Sequence, residues 1–240
     1  MKNIVVIPAR YSSTRLPGKP LIEIGGKPIV QWVYEKALES RFKDGVIIAT
    51  DDERIKEAVI SFGADVVMTS PTCESGTDRV YEAVRERHAD VVVNLQGDEP
   101  FIKPEMIDAL FSLMNAEHLN MATLCSVLKD EKEYNDPNTV KVVLDRFGFA
   151  LYFSRSPVPF IRNRTEAQIY KHIGIYSYSR EFLEEFVNME KGVLEKAESL
   201  EQLRALENGY DIKVFVTEYE GFGIDTKEDL ERANIFLKKD

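Results

Sequence analysis

Short runs of Val and Ile recur along the first part of the chain, and each gap between two runs has room for a helix. We predict buried strands at Asn3–Ile7, Gly45–Thr50, Asp65–Met68 and Asp90–Leu95. Apolar residues at helical spacing predict helices at Pro28–Ser40, Asp52–Phe62 and Thr77–Arg87. Strands that alternate with helices build a parallel sheet with helices on both faces, so the pattern predicts an α/β fold. Such sheets bind their ligands at the carboxyl ends of the strands.

Beyond Glu105 the strand-like runs outnumber the helical segments. Strands are predicted at Met121–Val127, Thr139–Leu144, Ala150–Ser154, His172–Ser179 and Asp211–Thr217. Helices are predicted at Pro104–Ala116, Arg180–Asn188, Glu195–Glu207 and Lys227–Lys238, and exposed polar loops at Lys129–Asn138 and Arg162–Gln168. Neighbouring strands with few helices between them favour a smaller antiparallel extension of the sheet, within about residues 129–209. The sequence has no repeat, low-complexity tract or linker, and we predict a single domain over residues 1–240.

The composition excludes several classes of function. The chain carries 31 Lys and Arg against 41 Asp and Glu, a net charge of −10, which argues against affinity for nucleic acid or for an anionic membrane. No apolar run approaches the roughly 20 residues of a membrane span, and the amino terminus lacks the pattern of a signal peptide. Cys73 and Cys125 have no neighbours at metal-ligand spacing, and they predict neither a zinc site nor a disulfide framework. We expect a cytoplasmic protein with reduced thiols.

The segment Pro8–Leu21, which follows the first predicted strand, is basic although the chain as a whole is acidic. It contains Arg10, Arg15 and Lys19, three consecutive hydroxyl residues and a glycine, and it has no acidic residue. Guanidinium and ammonium groups beside exposed backbone N–H groups suit the oxygens of a triphosphate. The segment is neither a Walker A loop nor a Gly-x-Gly-x-x-Gly loop, and a solvated basic loop is the alternative interpretation.

Two acidic segments are candidates for a metal site. Asp98 follows the fourth predicted strand, in Asn94–Pro100, and Asp225 lies in Gly223–Leu230. Carboxylates together with phosphate oxygens and water are the ligands that Mg²⁺ prefers. The alternatives are a plain turn at Asp98 and a helix start with a capping residue at residues 225–226. Spacing along the chain does not show whether the two carboxylates meet.

The segment Ser75–Arg79 precedes another predicted helix. Free backbone N–H groups and small side chains at such a position allow a nucleotide to approach closely. An ordinary helix amino terminus explains the same residues equally well, and the segment alone does not decide between the two interpretations.

These segments, taken together and in this order, resemble the cytidylyltransferases that activate 3-deoxy-manno-octulosonate (Kdo), the CMP-Kdo synthetases. The matching stretches run over nearly the whole chain. They are PARYSSTRLPGKPL from Pro8, IIATDD from Ile47, SGTDRV from Ser75, NLQGDEP from Asn94, VKVVLD from Val140, ALYFSRSPVP from Ala150, KHIGIYSYSR from Lys171, LEQLRALENG from Leu200 and GIDTKEDLE from Gly223. Their joint occurrence is far more specific than any one of them.

The resemblance implies a Rossmann-like, GT-A-type nucleotidyltransferase fold with a mostly parallel central sheet, assembled as a homodimer. It implies that CTP and Kdo give CMP-Kdo and pyrophosphate in a Mg²⁺-dependent reaction that serves lipopolysaccharide inner-core biosynthesis. The alternatives are the same chemistry on a close analogue, such as 8-amino-Kdo, a sialic acid or another keto-sugar acid, and a non-catalytic nucleotide-binding module. The segments around Arg155, His172 and Tyr176 favour Kdo over sialate but do not separate Kdo from a close analogue.

The resemblance also assigns roles to individual residues. Arg10, Arg15 and Lys19 would bind the CTP phosphates, and Ala9, Ser75, Gly76 and Arg79 would surround the cytidine. Asp98 and Asp225 would hold Mg²⁺ and, with Lys19, would form the catalytic set. The sugar site would consist of Gln96, Arg155, His172, Tyr176, Glu201 and Gln202, with Arg155 on the Kdo carboxylate. The structural alternatives are a satisfied half-buried histidine at 172, a core aromatic at 176 and an exposed helix face at 201–202.

Overall fold

The computed structural model describes residues 1–12, 16–163, 167–219 and 221–238. Its residues group into two compact units, Met1–Phe111 with Glu220–Asp240, and Ser112–Tyr219. The predicted extension at 129–209 falls within the second unit. Arg15, one of the three predicted phosphate-binding cations, lies outside the described residues.

Strands and helices alternate regularly in the first half of the chain. The elements there are β1 (Asn3–Ala9), β2 (Glu23–Ile24), β3 (Lys27–Pro28), α1 (Ile29–Leu38), β4 (Gly45–Thr50), α2 (Glu53–Ser61), β5 (Asp65–Met68), α3 (Gly76–Val84), β6 (Val91–Asn94) and α4 (Pro104–Glu117). The elements that follow are β7 (Met121–Val127), α5 (Glu131–Asn135), β8 (Lys141–Leu144), β9 (Ala150–Ser154), β10 (Tyr170–Ser179), α6 (Arg180–Asn188), α7 (Val193–Glu198), α8 (Leu203–Glu207), β11 (Ile212–Thr217) and α9 (Lys227–Phe236).

The first unit contains a parallel sheet in the strand order β5-β4-β1-β6. Its Val and Ile runs are buried, as a parallel sheet covered on both faces requires, and Val5, Val6 and Ile7 of β1 have no accessible surface. The predicted parallel sheet is therefore confirmed. The chain runs from β1 to β4 and β5 on one side and then returns to β6 on the other side of β1. The strand order thus reverses between β1 and β6.

The second unit contains a mixed, mainly antiparallel sheet. β7 pairs antiparallel with β10 and parallel with β11, whereas β8 pairs antiparallel with both β9 and β10. The pairing register of β10 shifts between Ile173 and Tyr176, which marks an irregularity in the ladder. Phe153, Phe182 and Phe186 are buried in the core of this unit. The predicted antiparallel extension is confirmed.

The prediction of one helix over Glu195–Glu207 is wrong, because the segment forms the two short helices α7 and α8. Ser199 adopts a left-handed conformation, with φ 51° and ψ 49°, and ends α7. The next residue, Leu200, is buried, so the chain turns inward before α8 begins. The helical spacing of apolar residues continues across Ser199, and periodicity alone therefore does not reveal the break.

A short helix and a two-stranded hairpin form where the sequence analysis predicts neither. The short helix α5 falls within the predicted loop Lys129–Asn138, and the Asp130 carboxylate caps it by accepting the Lys132 N–H at 2.9 Å. β2 and β3 form a hairpin whose two turn residues, Gly25 and Gly26, have positive φ of 57° and 81°. A two-residue turn of this kind requires glycine or asparagine, and the adjacent glycines are the signal that would have found it.

None of the helices in the described parts of the chain combines the length and the apolar character that crossing a bilayer needs.

Candidate active site

A cleft of about 370 Å³ opens at the carboxyl ends of β1 and β6 in the first unit. The strand order reverses at this point, and this is where open α/β sheets bind their ligands. The lining residues are Pro8, Ala9, Arg10, Lys19, Pro20, Cys73, Glu74, Ser75, Gly76, Arg79, Gln96, Gly97, Asp98 and Asp225. They include every described residue that the sequence assigns to the nucleotide or to the metal. The structure thus brings the predicted nucleotide site together.

Gly97 allows the loop after β6 to pass close to β1. A Cβ atom at this position would lie 2.8 Å from the carbonyl oxygen of Pro8, which is closer than a side-chain carbon comes to a backbone oxygen. Glycine is therefore required at this approach. The approach brings Asp98, the next residue, into the cleft.

Asp98 and Asp225 converge on one cation, the Lys19 ammonium. Its Nζ donates to Oδ2 of Asp98 at 2.5 Å and to Oδ1 of Asp225 at 2.9 Å. A backbone hydrogen bond of 2.9 Å from the Ile224 N–H to the Asp98 carbonyl ties the two acidic loops together. Two carboxylates from distant parts of the sequence therefore face the same point of the cleft.

The charge balance of this group suits a further cation. Burial lowers the pKa of Lys19, but attraction to Asp98 and Asp225 outweighs burial, and the pKa is raised above the usual lysine value. Lys19 is therefore protonated at neutral pH, and two carboxylates share its single positive charge. The excess negative charge and the hard oxygen donors are those that Mg²⁺ prefers.

Mg²⁺ fits the donor set as an ion that arrives with a nucleotide. Among the described residues, no group of three or more His, Cys, Asp or Glu side chains is arranged to hold a metal ion. Mg²⁺ commonly takes one or two protein carboxylates and completes its shell with phosphate oxygens and water. Asp98 and Asp225 supply that number of carboxylates, and the metal site itself stays a prediction.

The helix start predicted at residues 225–226 is confirmed. Thr226 Oγ1 accepts the Asp229 N–H at 3.2 Å, and the Asp229 carboxylate accepts the Thr226 N–H at 2.8 Å. This reciprocal pair caps α9. Because Thr226 supplies the cap, the carboxylate of Asp225 extends to Lys19 instead. The turn considered for Asp98 is present at residues 97–98, but the side chain of Asp98 binds the same lysine.

The amino end of α3 forms one wall of the cleft. Ser75 and Asp78 make a reciprocal capping box, so this segment is an ordinary helix start as well as part of the cleft lining. Arg79 is 3% exposed, and its guanidinium donates to the Asp51 carboxylate at 3.0 Å and to the Thr69 hydroxyl. Arg79 therefore fixes the wall through protein contacts. The nucleotide contacts of this segment stay a prediction.

Cys73 and Glu74 also line the cleft, although the sequence does not single them out as site residues. Burial raises the pKa of Cys73 to about 12, and the Glu82 carboxylate, which accepts the thiol at 3.1 Å, contributes to the rise. A thiol with so high a pKa is a poor nucleophile. Their position directly before Ser75 is the signal that would have placed both residues at the cleft.

The predicted sugar-binding residues divide between the units, with Gln96 in the cleft of the first and the other residues in the second. On β10 the ring centroids of His172 and Tyr176 are 5.3 Å apart. Burial raises the pKa of Tyr176, and the nearby Glu201 carboxylate raises it further. Gln202 is 3% exposed, and its Nε2 has no hydrogen-bond partner among the described residues, so an exposed helix face is wrong for Gln202. The second unit therefore brings His172, Tyr176 and Glu201 together.

Arg155 makes contacts that the sequence does not predict. Its guanidinium donates to three backbone carbonyls, at 2.7 Å to Glu198, at 3.0 Å to Pro137 and at 3.4 Å to Ser199. These bonds hold the segments around residues 137 and 198–199 against Arg155. The assignment of Arg155 to a sugar carboxylate stays a prediction.

His172 is a neutral hydrogen-bond donor in this structure. The Thr123 hydroxyl donates to the Ile175 carbonyl at 2.7 Å, so its oxygen accepts from His172 Nε2 at 3.0 Å. The ring is enclosed by Phe153 and Tyr176, and this burial lowers the pKa of His172 to about 3. The satisfied, partly buried histidine considered as an alternative therefore describes its protein contacts.

The lowered pKa of His172 makes the stability of the fold depend on pH. Between the folded value of about 3 and the ordinary value of 6.5, the unfolded chain binds a proton that the folded chain does not. His172 therefore reduces the free energy of unfolding as the pH falls below its unfolded pKa. The free energy of unfolding of the wild type, measured with urea, is lower at about pH 5 than at about pH 7. We expect this decrease to be smaller by about 1–2 kcal/mol in His172→Gln. His88→Gln, at an exposed histidine, is the control and leaves the decrease unchanged.

Comparison with known proteins identifies the family. A model of the cytidylyltransferase family matches residues 4–212. A 3-deoxy-manno-octulosonate cytidylyltransferase of Thermodesulfovibrio yellowstonii is 52% identical, with 97% of each chain covered. The chain belongs to the 3-deoxy-manno-octulosonate cytidylyltransferase family.

Two further relatives bear on specificity and fold. An 8-amino-3,8-dideoxy-manno-octulosonate cytidylyltransferase of Shewanella pealeana is 49% identical over 96% of each chain. A solved CMP:2-keto-3-deoxy-manno-octonic acid synthetase in complex with CTP superimposes with a TM-score of 0.96, at 44% identity, and covers 100% of this chain and 99% of that chain. The fold that the resemblance implies is therefore confirmed, and the family includes members named for two related sugars.

Proposed function

We propose that this protein is a CTP-dependent cytidylyltransferase that activates Kdo and releases pyrophosphate. The proposal rests on one observation: Lys19, Asp98 and Asp225 converge at the point where the strand order of the sheet reverses. The chain in which they do so belongs to the cytidylyltransferase family. A triphosphate bound there meets two cations, Arg10 and Lys19, at the carboxyl end of β1. The non-catalytic module considered from the sequence would have no need for a cation flanked by two carboxylates.

The reaction is an in-line displacement at the α-phosphorus of CTP. The anomeric 2-hydroxyl oxygen of Kdo forms a bond to this phosphorus while the bond from phosphorus to the oxygen bridging to the β-phosphate breaks. Pyrophosphate leaves with the bonding electron pair, and the hydroxyl proton is released to water. Arg10 and Lys19 hold phosphate oxygens and offset the charge that builds up on the leaving group. Positioning of the two substrates supplies most of the remaining acceleration, and no covalent enzyme intermediate is needed.

Asp98 and Asp225 are the residues that would hold Mg²⁺ in this proposal. When bound, Mg²⁺ supplies charge neutralisation at the phosphates and lowers the pKa of a coordinated hydroxyl group. Lys19 contacts both carboxylates, so its ammonium lies within reach of the phosphates that accompany the ion. The dependence of the reaction on Mg²⁺ is part of the proposal.

The second unit supplies the candidate sugar contacts. His172, Tyr176, Glu201 and Gln202 offer donors and acceptors for sugar hydroxyls. Gln202 supports this assignment, since a buried amide nitrogen that has no partner among the described residues is costly until a ligand binds it.

The proposal includes a homodimer that works in the cytoplasm and serves lipopolysaccharide synthesis. Phe147, Leu151 and Phe160 of the second unit expose 69%, 62% and 84% of their surface. Large exposed apolar side chains support a protein–protein contact on this unit. The resemblance of the chain to its family supports the cellular role.

The test of the proposed substrate compares Kdo with its 8-amino analogue, because the relative from Shewanella pealeana is nearly as similar as those named for Kdo. We expect kcat/KM for Kdo to exceed that for 8-amino-Kdo by at least about tenfold, since an exchanged hydrogen-bonding group leaves a polar partner in the site unsatisfied. Pyrophosphate release with CTP and each sugar measures the ratio. A ratio in favour of the amino sugar assigns the protein to the analogue, and no release with either sugar favours a non-catalytic module.

A further inference from the structure

Lys141 is a fully buried lysine at the first position of β8. Its Nζ donates to three backbone carbonyls, at 2.6 Å to Thr139, at 2.7 Å to Arg155 and at 3.0 Å to Asp136. All three donors of the ammonium group are therefore satisfied. Burial lowers the pKa of Lys141, and the carboxylates of Asp136 and Glu198 partly offset that effect. Nothing in the proposed reaction uses this cation, although burying a charge is costly.

The contacts of Lys141 continue through Arg155 to Glu198. The Arg155 N–H donates to Oε2 of Glu198 at 2.9 Å, and the Ser154 hydroxyl donates to Oε1 of Glu198 at 2.6 Å. The guanidinium of Arg155 binds the carbonyls of Glu198, Ser199 and Pro137 in addition. We call Lys141, Arg155 and Glu198 the clasp. It joins the loop 136–139, the end of β9 and the end of α7.

The clasp ends at the turn that carries Glu201 and Gln202. Ser199 leaves α7 in a left-handed conformation, and Leu200 is buried directly after it. The bonds from Arg155 to the carbonyls of residues 198 and 199 therefore set the direction in which this turn departs. The turn is also held by its own backbone bonds, such as the Arg204 N–H to the Glu201 carbonyl at 3.0 Å, and by the ion pair of Arg204 with Glu195 at 2.6 Å.

The other end of the clasp is fixed to the strand that carries His172 and Tyr176. Lys141 pairs with Lys171 of β10 and with Ser154 of β9 in the sheet. The His172 N–H donates to the Val140 carbonyl at 2.8 Å, one residue before Lys141. The clasp thus connects β10 to the turn 199–202. Some of the connecting hydrogen bonds belong to the sheet, and the others are made by Lys141, Arg155 or Glu198.

We propose that Lys141 is a positioning residue for sugar binding, which through Arg155 and Glu198 holds Glu201 and Gln202 against His172 and Tyr176. The inference rests on the proposed function, because it concerns the sugar side of that reaction. Arg155 acts in the clasp as a structural donor to carbonyls. Kdo recognition then depends on a buried cation that does not touch the sugar.

The test is Lys141→Ala, assayed separately for each substrate. We expect KM for Kdo to rise by about tenfold or more while KM for CTP changes by less than about twofold, because the loss of charge-assisted bonds releases the turn but not the cleft. The substitution removes three carbons and the ammonium, so added n-propylammonium restores KM for Kdo, and the same concentration of sodium does not. Lys213→Met is the matched control: it removes a strand lysine paired with Glu117 at 3.0 Å and leaves the clasp intact.

A second variant covers the case in which Lys141→Ala does not fold. Glu198→Gln keeps the size of the side chain but places an amide N–H donor at one of the oxygens that accept from Arg155 and Ser154, and it gives the same selective rise in KM for Kdo. Hydrogen exchange at the amides of Leu203 and Arg204 is faster than in the wild type in either variant, with no substrate present. Unchanged exchange, or equal changes in KM for CTP and for Kdo, would overturn the clasp proposal. A wild-type protein that releases no pyrophosphate contradicts the proposed function instead, and hydrogen exchange alone then decides whether the clasp holds the turn.

Discussion

Asp98→Asn lowers turnover by about a hundredfold or more in our expectation, and Asp225→Asn does the same, because a bound metal contributes several kcal/mol to the stabilisation of phosphoryl-transfer charge. A neutral amide is a poor Mg²⁺ ligand, and each aspartate supplies one of the two carboxylates that face Lys19. The measurement is pyrophosphate release at saturating CTP and Kdo with limiting Mg²⁺. The loss is smaller at high Mg²⁺ concentration, since excess ion partly compensates for a weaker site.

The fold of both variants remains intact. The side chains of Asp98 and Asp225 are 29% and 45% exposed, and ion pairs with this much solvent contact contribute little to stability. Asp65→Asn is the matched control, because Asp65 is also paired, with Arg87 at 2.8 Å, but starts β5 at the opposite edge of the same sheet. Wild-type turnover in Asp98→Asn at limiting Mg²⁺ removes Asp98 from the metal site, and the same result in Asp225→Asn removes Asp225.

Lys19→Ala has the second large expected effect. We expect kcat/KM for CTP to fall by about ten- to a hundredfold, since the variant loses a charge-assisted contact with the phosphates. The same variant binds Mn²⁺ more tightly than the wild type in the absence of CTP, because Asp98 and Asp225 lose the cation that lies between them. Steady-state kinetics measures the first effect, and electron paramagnetic resonance of free Mn²⁺ measures the second.

The two effects of Lys19→Ala distinguish two roles of the Lys19 ammonium, as a phosphate contact and as a cation that competes with the metal ion. The aspartate variants weaken Mn²⁺ binding, whereas loss of Lys19 strengthens it, so opposite shifts distinguish a metal ligand from its competing cation. Lys56→Ala is the control, because Lys56 forms a surface pair with Glu53 on α2 and lies outside the cleft lining. If kcat/KM for CTP does not change in Lys19→Ala, Lys19 only neutralises the negative charge of Asp98 and Asp225. The segment Pro8–Leu21 is then best interpreted as a solvated basic loop.

The sequence predicts the parallel sheet well because its strands are buried on both faces. Val, Ile and Ala make up five of the seven residues of β1 and four of the six residues of β4, and such runs are typical of a parallel sheet covered on both faces. The interruption between α7 and α8 at Ser199 is not predictable from such a pattern. It depends on one left-handed residue and on the burial of Leu200, and a serine carries no sequence signal for that conformation.

The convergence of Asp98 and Asp225 depends on tertiary structure. Asp225 lies in the part of the first unit that the chain reaches only after it has completed the second unit. The Ile224 N–H bond to the Asp98 carbonyl and the close approach at Gly97 bring the loops together, and neither contact has a local sequence signal. The contacts of Arg155 illustrate the same limit, since an arginine that binds three carbonyls and one that binds a ligand look alike in sequence.

Phosphorus NMR of the reaction mixture tests the central claim most directly. The wild-type protein is incubated with CTP, Mg²⁺ and Kdo, and the phosphorus resonances are followed over time. The expected result is a phosphodiester resonance of CMP-Kdo and a pyrophosphate resonance that grow together in equal amounts, with neither formed when Kdo is left out. Unchanged CTP in the complete mixture, or pyrophosphate accompanied by CMP without the sugar nucleotide, would contradict the assignment of cytidylyl transfer to Kdo.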